Sequence, residues 1–308
     1  MLKELILLFL FVFLATTSAY AASPEQPNSI PPEPNSLQTL IEKANKGDPN
    51  AQCTLGEKYY NGQGVPRDYN EAFNWWGKSA EKECACAQNN LGVMFDHGQG
   101  VPQDYNEAVK WYRRAAEQGF ALAQGSLGVM YQDGQGVSQD YNEAIKWYRK
   151  AAEQGYAGAQ CNLGYMYNRG LGVAQDYKEA FKWYSKSAEQ EDTIAQYNLG
   201  LMYGKGKGVP KDYKEAFKWY EKAAEKDYKE AQYNLGLMYY KGEGTVKDYV
   251  KAYKWILIAG QKGLDVGKAK QTITDKMSHK QTAEAEKFAK EFVPKKEKSN
   301  DVNSFDLK

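Results

Sequence analysis

The chain has 308 residues, and its 40 lysine and arginine side chains nearly balance its 39 aspartate and glutamate side chains, which leaves a formal net charge of +1. This balance excludes the strong positive field that draws many proteins to nucleic acids or anionic membranes. We therefore expect no nucleic-acid partner, and the hydrophobic content of 42% is sufficient for a substantial core.

The first 21 residues have the pattern of a signal peptide. Lys3 precedes an apolar run over residues 5–14, and Ala19-Tyr20-Ala21 supplies the small residues of a signal-peptidase site. The alternative is an uncleaved membrane anchor, but this run is much shorter than the roughly 20 apolar residues that a spanning helix needs. We predict cleavage after Ala21, export to the periplasm or secretion, and no membrane contact other than through the export signal.

Residues 22–35 contain five prolines among serine, asparagine, glutamate and glutamine, a composition that favours an extended linker. Ser36 then precedes Leu37 and Ile41, which recur at helical spacing. Because this segment resembles the second half of the repeats described below, residues 36–50 are predicted to form a capping helix at the N-terminal end.

A 36-residue unit then occurs six times, and each copy opens with an Ala-Gln pair and follows the last without insertion or deletion. The copies are residues 51–86, 87–122, 123–158, 159–194, 195–230 and 231–266. A unit of this length cannot bury its own apolar face and must stack on its neighbours, which is the signature of a solenoid. We predict an all-α solenoid of six helix-turn-helix repeats at residues 51–266, closed by capping helices at residues 267–293 and followed by a disordered tail at residues 294–308.

The first helix of each unit is predicted from residues at helical spacing, which we number from the alanine of the Ala-Gln pair as slot one. In the fifth copy Ala195, Leu199 and Met202 form one apolar stripe. Gly200 lies in the middle of this helix, where glycine costs about 1 kcal/mol relative to alanine. The recurrence of glycine at slot six of every copy predicts that another helix backbone comes close there.

The second helix begins at an aspartate that is followed three residues later by glutamate, as at Asp212 and Glu215, which is the pattern of a capping box. The sixth copy has Lys251 in place of the glutamate. One tryptophan per unit occupies a shared slot, and equivalent rings in every copy favour packing between repeats over stacking with a ligand. These residues are Trp75, Trp111, Trp147, Trp183, Trp219 and Trp255.

The combination of Ala-Gln-x-x-Leu-Gly-x-Met-Tyr, a Gly-x-Gly-Val loop and Asp-Tyr-x-Glu-Ala-x-Lys-Trp-Tyr resembles the Sel-one-like repeat (SLR) family, which is related to tetratricopeptide repeats. The resemblance extends over residues 51–266. It implies a right-handed α/α superhelix and a role as an adaptor or scaffold for protein assemblies, including exported bacterial proteins in signalling or host contact. The family name does not identify a partner.

Some secreted, cysteine-rich members of this family bind or slowly hydrolyse β-lactams, so the alternative function is a β-lactam- or peptidoglycan-directed hydrolase or binding protein. One Ser-x-x-Lys occurs at Ser79–Lys82, but the Ser-Asp-Asn and Lys-Thr-Gly companions of a serine β-lactamase do not occur. Ser79 occupies a slot that holds alanine in most copies, which predicts packing. His97 and His279 lie far apart along the repeats and are expected at the surface. We predict no catalytic, metal or cofactor site.

Four cysteines in an exported chain suggest a disulfide bond. Cys53 begins the first helix of unit one, and Cys84 and Cys86 lie where the chain returns beside it. Cys53 could therefore pair with Cys84 or with Cys86. Cys161 is three units away, which at about 10 Å per helix layer exceeds the reach of a disulfide. The cysteine-rich family members place one bridge in each repeat, at slots that hold other residues here, so no ladder of disulfides is expected.

One side of the first helices is the candidate binding surface. Slots three, seven and ten point away from the core stripe at about 100° per residue, slot four lies alongside, and in tetratricopeptide-like superhelices this side lines the concave groove. We call slots three, four, seven and ten the first-helix face. In the later copies it is apolar and aromatic with flanking amides, which suits an extended peptide. The predicted partner-binding residues are Tyr165, Tyr197, Asn198, Leu201, Tyr233, Asn234, Leu237 and Tyr240.

The alternative for this surface is that slot seven simply packs against the neighbouring first helices. Taken together, the sequence predicts an exported, monomeric, non-enzymatic scaffold without a cofactor. Its partner is expected to be a protein or peptide that binds in the groove of units four to six.

Overall fold

A computed structural model describes residues 36–295, which form 15 α-helices and no β-strand. The predicted signal peptide at 1–21, the predicted linker at 22–35 and residues 296–308 of the predicted tail lie outside the described residues. The helices are α1 (Leu37–Asn45), α2 (Pro49–Asn61), α3 (Tyr69–Ala80), α4 (Ala85–His97), α5 (Tyr105–Glu117), α6 (Ala121–Asp133), α7 (Tyr141–Glu153), α8 (Ala157–Arg169), α9 (Tyr177–Glu189), α10 (Thr193–Lys205), α11 (Tyr213–Glu225), α12 (Lys229–Lys241), α13 (Tyr249–Gln261), α14 (Gly267–Thr274) and α15 (His279–Lys290).

From α1 to α14 each helix packs against the next one along the chain, with the closest packing inside each repeat. The first helix of a repeat is even-numbered from α2 to α12, and its second helix is odd-numbered from α3 to α13. The predicted all-α solenoid is therefore confirmed. Within residues 36–295, none of the helices combines the length and the apolar character that crossing a bilayer requires.

The first helices begin two residues before the Ala-Gln pair. In repeat one Asp48 caps α2 by accepting a hydrogen bond from the backbone N–H of Ala51 at 2.7 Å, and Pro49 occupies the first turn. Residues 49 and 50, assigned to the capping helix from the sequence, thus belong to the first repeat. At the other end Gly62 adopts a left-handed conformation with φ of 70°, which only glycine adopts at no steric cost.

The second helices are capped by aspartate. The glutamate three residues later was expected to bond back to the backbone N–H of that aspartate, but its carboxylate lies elsewhere. Asp104, for example, accepts from the backbone N–H groups of Asn106 and Glu107 at 2.9 and 3.1 Å, whereas the Glu107 carboxylate pairs with Lys110 one turn later. A lysine three residues after the glutamate attracts it away from the helix start. Among the described residues, a capping box with both bonds forms between Ser278 and Gln281.

Slot-six glycine is explained by an aromatic ring and not by a helix backbone. A Cβ atom added at Gly200 would lie 2.6 Å from the ring of Tyr220, and one added at Gly56 would lie 2.6 Å from the ring of Trp76. The sixth repeat differs, because the neighbours of Gly236 there are a side chain and a backbone carbonyl oxygen. The glycine therefore makes room for a large residue of the second helix, which is fully buried in most repeats.

The tryptophans pack between repeats, as predicted. Trp147 packs in one cluster with Val109 and Tyr112 of the preceding repeat, and Trp183 packs in the same way with Ile145 and Tyr148. The core of the solenoid is thus a series of small clusters, each shared by adjacent repeats.

The C-terminal end is covered by α15, which packs against α13. Phe292 follows α15 and places its ring 5.2 Å from that of Trp255. Lys295, which the sequence assigned to a disordered tail, donates its backbone N–H to the Glu225 carbonyl oxygen at 2.8 Å and its ammonium group to the Glu225 carboxylate at 2.6 Å. The predicted helix that follows residue 266 is present but ends at Thr274.

Candidate functional site

The boundary between repeats one and two contains a disulfide bond. Of the two pairings that the sequence left open, the structure has Cys53 of α2 joined to Cys86 of α4, with 6.7 Å between their Cα atoms. Cys84 remains a half-buried free thiol, and Cys161 a fully buried one. The bridge ties the slot-three residue of one repeat to the residue just before slot one of the next.

A carboxylate lies beside this bridge. Glu57 Oε1 is 3.3 Å from Cys86 Sγ and 4.0 Å from Cys53 Sγ. Burial raises the pKa of the Glu57 carboxyl group, although a hydrogen bond from Asn90 opposes the shift. The ligand atoms of these two cysteines and Glu57 lie within 4.8 Å of one another, so reduced thiolates and the carboxylate have the donor chemistry for a cation such as Zn²⁺. In the structure the two sulfur atoms are bonded to each other.

The same three positions occur three 36-residue repeats later at the boundary between repeats four and five. Cys161, Tyr165 and Ile194 stand there in place of Cys53, Glu57 and Cys86. No bridge closes this boundary, and Tyr165 of α8 and Ile194 of α10 leave 38% and 48% of their surfaces exposed. Within residues 36–295, the other exposed large apolar side chains lie outside the first helices, at Val246, Phe288 and Val293.

Ile194 is a site residue that the sequence reasoning missed. Slot numbering began at the Ala-Gln pair, and Ile194 precedes that pair by one residue. The signal was present in the alignment of the copies, because the equivalent residue in repeat two is the bridging Cys86. We extend the first-helix face to include this position and call the exposed pair Tyr165 and Ile194 the apolar patch.

Tyr197 and Asn234, two of the predicted binding residues, contact each other and the core. The Tyr197 ring packs at a tilt against Tyr228 at 5.0 Å and Tyr220 at 5.9 Å between ring centroids. Asn234 hydrogen-bonds to Tyr197, and burial of the ring raises the pKa of the Tyr197 hydroxyl. The packing alternative thus accounts for much of Tyr197, although part of its surface remains exposed.

Leu201, Tyr233, Leu237 and Tyr240 are half-buried and border the core of the last two repeats. The Tyr240 ring lies 5.8 Å from that of Tyr249 at the start of the second helix. Each of these side chains is only partly covered, so the predicted residues form a half-buried apolar floor. The apolar patch belongs to the preceding part of the same face, on α8 and α10.

Basic side chains border the later part of this face. Slot eleven, the end of the first helix, holds Arg169, Lys205 and Lys241 in repeats four to six, whereas repeats two and three have His97 and Asp133 there. The Arg169 guanidinium group lies 5.7 Å from the centroid of the Tyr165 ring, within the range of a cation–π contact. The face in repeats four to six is therefore apolar with a positive edge.

The Ser-x-x-Lys sequence is part of the helix packing. Ser79 is fully buried, and its hydroxyl donates to the Pro49 carbonyl oxygen at 2.7 Å. Ser187, three repeats later, makes the equivalent bond to Ala157 at 2.9 Å. The Lys82 ammonium group donates to a backbone carbonyl oxygen of the preceding loop. Neither residue of the motif is arranged as a nucleophile and its base.

The histidines lie apart in the structure. His97 ends α4, with Nδ1 3.1 Å from the Val93 carbonyl oxygen and 3.8 Å from the Asp96 carboxylate. His279 is the first residue of α15. Both are at the surface.

Comparison with known proteins identifies the repeat. The family model described as "Sel1 repeat" matches residues 49–84, 87–120, 121–156, 157–192, 193–228 and 229–264. These segments begin where the first helices begin in the structure, apart from a shift of two residues in the second. No curated protein matches the chain.

Two solved structures are similar in sequence. A Sel1 repeat protein from Oxalobacter formigenes is 34% identical, with 72% of this chain and 95% of that chain covered and a TM-score of 0.65. A protective antigen of uropathogenic Escherichia coli strains, described as displaying an SLR fold, is 30% identical, with 83% of this chain and 71% of that chain covered and a TM-score of 0.36. The first similarity extends to the arrangement of the repeats in space.

Proposed function

The chain belongs to the Sel1 repeat family, and we propose that it is an exported, non-enzymatic scaffold that binds a protein or peptide on the first-helix face of repeats four to six. Sel1 repeat proteins are in general scaffolds for protein interactions. The finer proposal concerns where this chain binds, what it binds and where it acts. We place the peptide in the concave groove, because the first-helix face lines that groove in related superhelices.

The apolar patch is the observation that carries this proposal. Tyr165 and Ile194 are exposed at a position where the equivalent residues of repeats one and two are a carboxylate and a bridging cysteine. Exposed aromatic and aliphatic side chains beside a half-buried apolar floor are typical of an interaction surface. Asn198 and the neighbouring amides can bond the backbone of an extended peptide, as in other peptide-binding grooves.

Export is supported by two independent features. The first 21 residues carry the apolar run and the small-residue cleavage pattern of a signal peptide. The Cys53–Cys86 bridge is of the kind that persists in oxidising compartments such as the periplasm or the extracellular space.

A non-enzymatic function is supported by the state of Ser79. Its hydroxyl is fully buried and already donates to a backbone carbonyl oxygen, so it is not accessible to a β-lactam or to peptidoglycan. We expect purified protein to leave nitrocefin unhydrolysed. Turnover that disappears in Ser79→Ala would contradict this expectation and favour the hydrolase.

The binding proposal is tested by capture from the native compartment. Protein lacking residues 1–21 is immobilised, and the polypeptides that it retains are compared with those retained by a variant carrying Tyr165→Ala and Ile194→Ser. We expect the variant to lose at least about tenfold in retained partner, because truncating a residue at the centre of an interface costs about 2 kcal/mol or more when that residue is an energetic hot spot.

The matched control carries Val246→Ser and Val293→Ser, which remove two exposed apolar side chains away from the first-helix face. All three proteins should give the same helical circular dichroism. Equal retention by the patch variant and the control variant would place the binding surface elsewhere.

A further inference from the structure

A row of buried tyrosines runs beneath the slot-six glycines, and their hydroxyl groups need hydrogen-bond partners. Tyr112 donates to Asp96 Oδ2 at 3.2 Å, and Tyr148 donates to Gln132 Oε1 at 3.1 Å. Both acceptors occupy slot ten of the same repeat. Repeats two and three thus satisfy the hydroxyl locally, which matters because an unpaired buried hydroxyl is unfavourable.

Repeat four lacks this pairing. Its slot-ten residue is Asn168, which is as long as Asp96 of repeat two but does not bond to the tyrosine hydroxyl. Tyr184 is 1% exposed, and its hydroxyl has no hydrogen-bond partner. In repeat five Asn234 bonds to the equivalent Tyr220, whereas Asn198, the corresponding residue one repeat earlier, does not bond to Tyr184.

A small cavity lies beside Tyr184. Its volume is about 60 Å³, and its polar lining comes from Asn168, Tyr184, Asn198, Lys205 and Lys207. About 10–15 Å³ of such cavity volume holds one water molecule, so the cavity accepts a group of a few atoms. We call it the Tyr184 pocket.

The Tyr184 pocket is rich in hydrogen-bond donors. Burial raises the pKa of the Tyr184 hydroxyl, which therefore remains protonated and able to donate. The two amides add further donors, and the two exposed lysines bring positive charge. Lys207 is held in place by a hydrogen bond to the Tyr177 hydroxyl at 3.2 Å. No carboxylate contributes to the lining, so the site favours an anion.

The surface next to the Tyr184 pocket is also positively charged and belongs to the first-helix face. Asn198 and Leu201 line the pocket and also belong to the first-helix face. Arg169, which stacks on the Tyr165 ring, directly follows Asn168 in the chain. The Asp192 carboxylate acts on Tyr184 and contributes to the raised pKa of its hydroxyl, and it caps the N-terminus of α10 by accepting from the backbone N–H of Ala195 at 2.7 Å.

We propose that the Tyr184 pocket binds a side-chain carboxylate of the polypeptide that lies on the first-helix face, so that the partner presents an aspartate or glutamate next to its apolar residues. This inference rests on the proposed function and specifies the chemistry of the partner. The Tyr184 hydroxyl and the amides of Asn168 and Asn198 donate to the carboxylate oxygens, and Lys205 and Lys207 balance the charge.

The probe is N-acetyl-glutamate N-methylamide, and its binding is followed by NMR through the side-chain amide signals of Asn168 and Asn198. We expect saturable shifts of both signals. The neutral analogue, N-acetyl-glutamine N-methylamide, should produce none. Equal binding of the neutral analogue, stronger binding of inorganic phosphate, or no shift with the glutamate probe would each overturn the proposal.

Two variants separate the pocket from general effects on folding. Tyr184→Phe removes a hydroxyl that has no partner in the free protein, so it should keep or raise the melting temperature while weakening the probe about tenfold. Asn168→Gln recreates the tyrosine–glutamine bond of repeat three and should fill the pocket, abolish the shift of Asn198 and raise the melting temperature.

The matched control is Tyr148→Phe, which removes a hydroxyl that is bonded to Gln132. It should lower the melting temperature and leave probe binding unchanged. Unaltered probe binding in Asn168→Gln, or equal loss in Tyr148→Phe and Tyr184→Phe, would contradict a carboxylate site at Tyr184.

Failure of this inference is distinguishable from failure of the proposed function. If the probe does not bind but the apolar-patch variant still loses its partner, only the pocket assignment is wrong. If the probe binds as expected but the patch variant keeps its partner, the pocket stands and the polypeptide-binding surface lies elsewhere.

Discussion

The boundary between repeats one and two and the boundary between repeats four and five use the same backbone positions for opposite purposes. At the first, Cys53 and Cys86 form a disulfide beside Glu57. At the second, Tyr165 and Ile194 expose apolar surface at the equivalent positions. One boundary is covalently closed, and we propose that the other receives a partner.

This difference shows that the positions that pack the helices together and the positions that form the exposed surface are separate within the repeat. Positions that pack, such as slot one, slot five and slot six, keep their residue type from copy to copy. Positions on the first-helix face vary, because a change there alters the exposed surface without altering the stacking of helices. Binding specificity can therefore differ along one solenoid whose repeats are otherwise alike.

The largest expected effect comes from opening the closed boundary. Cys86→Ser removes a bridge between residues 33 positions apart, and the loop-closure relation gives a loss of about 3–4 kcal/mol in the free energy of unfolding. Because each repeat contacts only its neighbours, repeat one should lose protection first. Urea denaturation with hydrogen exchange measures both quantities. Cys84→Ser is the control, and an equal loss in the two variants would show that the bridge contributes nothing.

A smaller effect on stability tests whether the helices pack in the same way at the two boundaries. Gly56→Ala and Gly164→Ala place a Cβ atom 2.6 Å from the Trp76 ring and 2.8 Å from the Tyr184 ring. Overpacking of this kind costs about 1–3 kcal/mol, and we expect similar losses from both variants in chemical denaturation.

Gly77→Ala is the matched control for these glycines, because a Cβ atom there would meet nothing within 4 Å. It should raise stability by about 1 kcal/mol or less, since alanine favours a helix more than glycine does. A loss at Gly56 without a loss at Gly164 would mean that the packing differs between the two regions as well as the surface.

Replacing either of the two equivalent serines, Ser79 and Ser187, should lower the free energy of unfolding by about 1 kcal/mol. Ser79→Ala and Ser187→Ala remove equivalent buried hydrogen bonds to Pro49 and Ala157, and a typical bond of this kind contributes about 0.5–1.5 kcal/mol. Equal losses of stability in thermal denaturation are expected. A much larger effect of Ser79→Ala on any activity would contradict a packing role.

The smallest expected effect is a pH dependence that one region has and the other lacks. Burial raises the pKa of Asp96, with His97 and the Tyr112 hydroxyl opposing the shift, whereas the equivalent residue of repeat four is the uncharged Asn168. A raised folded-state pKa contributes stability that is fully present below the unfolded aspartate value of about 3.9 and is lost as pH rises through the folded value.

Replacing Asp96 by asparagine should remove this dependence. As the pH rises from about 3.5 to about 6, the range in which carboxyl groups commonly titrate, the melting temperature of the wild-type protein should fall relative to that of Asp96→Asn. Parallel curves for the two proteins would show that burial of Asp96 does not influence its titration.

Much of the fold could be predicted because the residues that determine the local structure recur in every repeat. The Ala-Gln pair, the aspartate caps and the apolar stripe fix helix positions through spacing and hydrogen bonds that lie within one unit. Two local details were wrong for physical reasons. In repeats two to five the glutamates of the second helices pair with lysine three residues later, as Glu107 does with Lys110. In repeats one to five the slot-six glycines face aromatic rings, as Gly200 does.

The candidate site was predicted only in outline. The first-helix face was located from spacing, but Tyr197 proved to pack against the rings of Tyr220 and Tyr228 and Ile194 was missed. Spacing tells which side of a helix a residue occupies. It does not tell whether a residue of the next repeat covers that side.

The sequence by itself determined the period, the helix pairs, the solenoid and the face that varies between copies, because all of these follow from a pattern repeated within the chain. Only the tertiary structure decided that Cys86 and not Cys84 bonds to Cys53, that Tyr165 and Ile194 are exposed, and that the Tyr184 hydroxyl has no partner. These outcomes depend on distances of a few ångströms between side chains of adjacent repeats, and residue spacing along the chain does not give such distances.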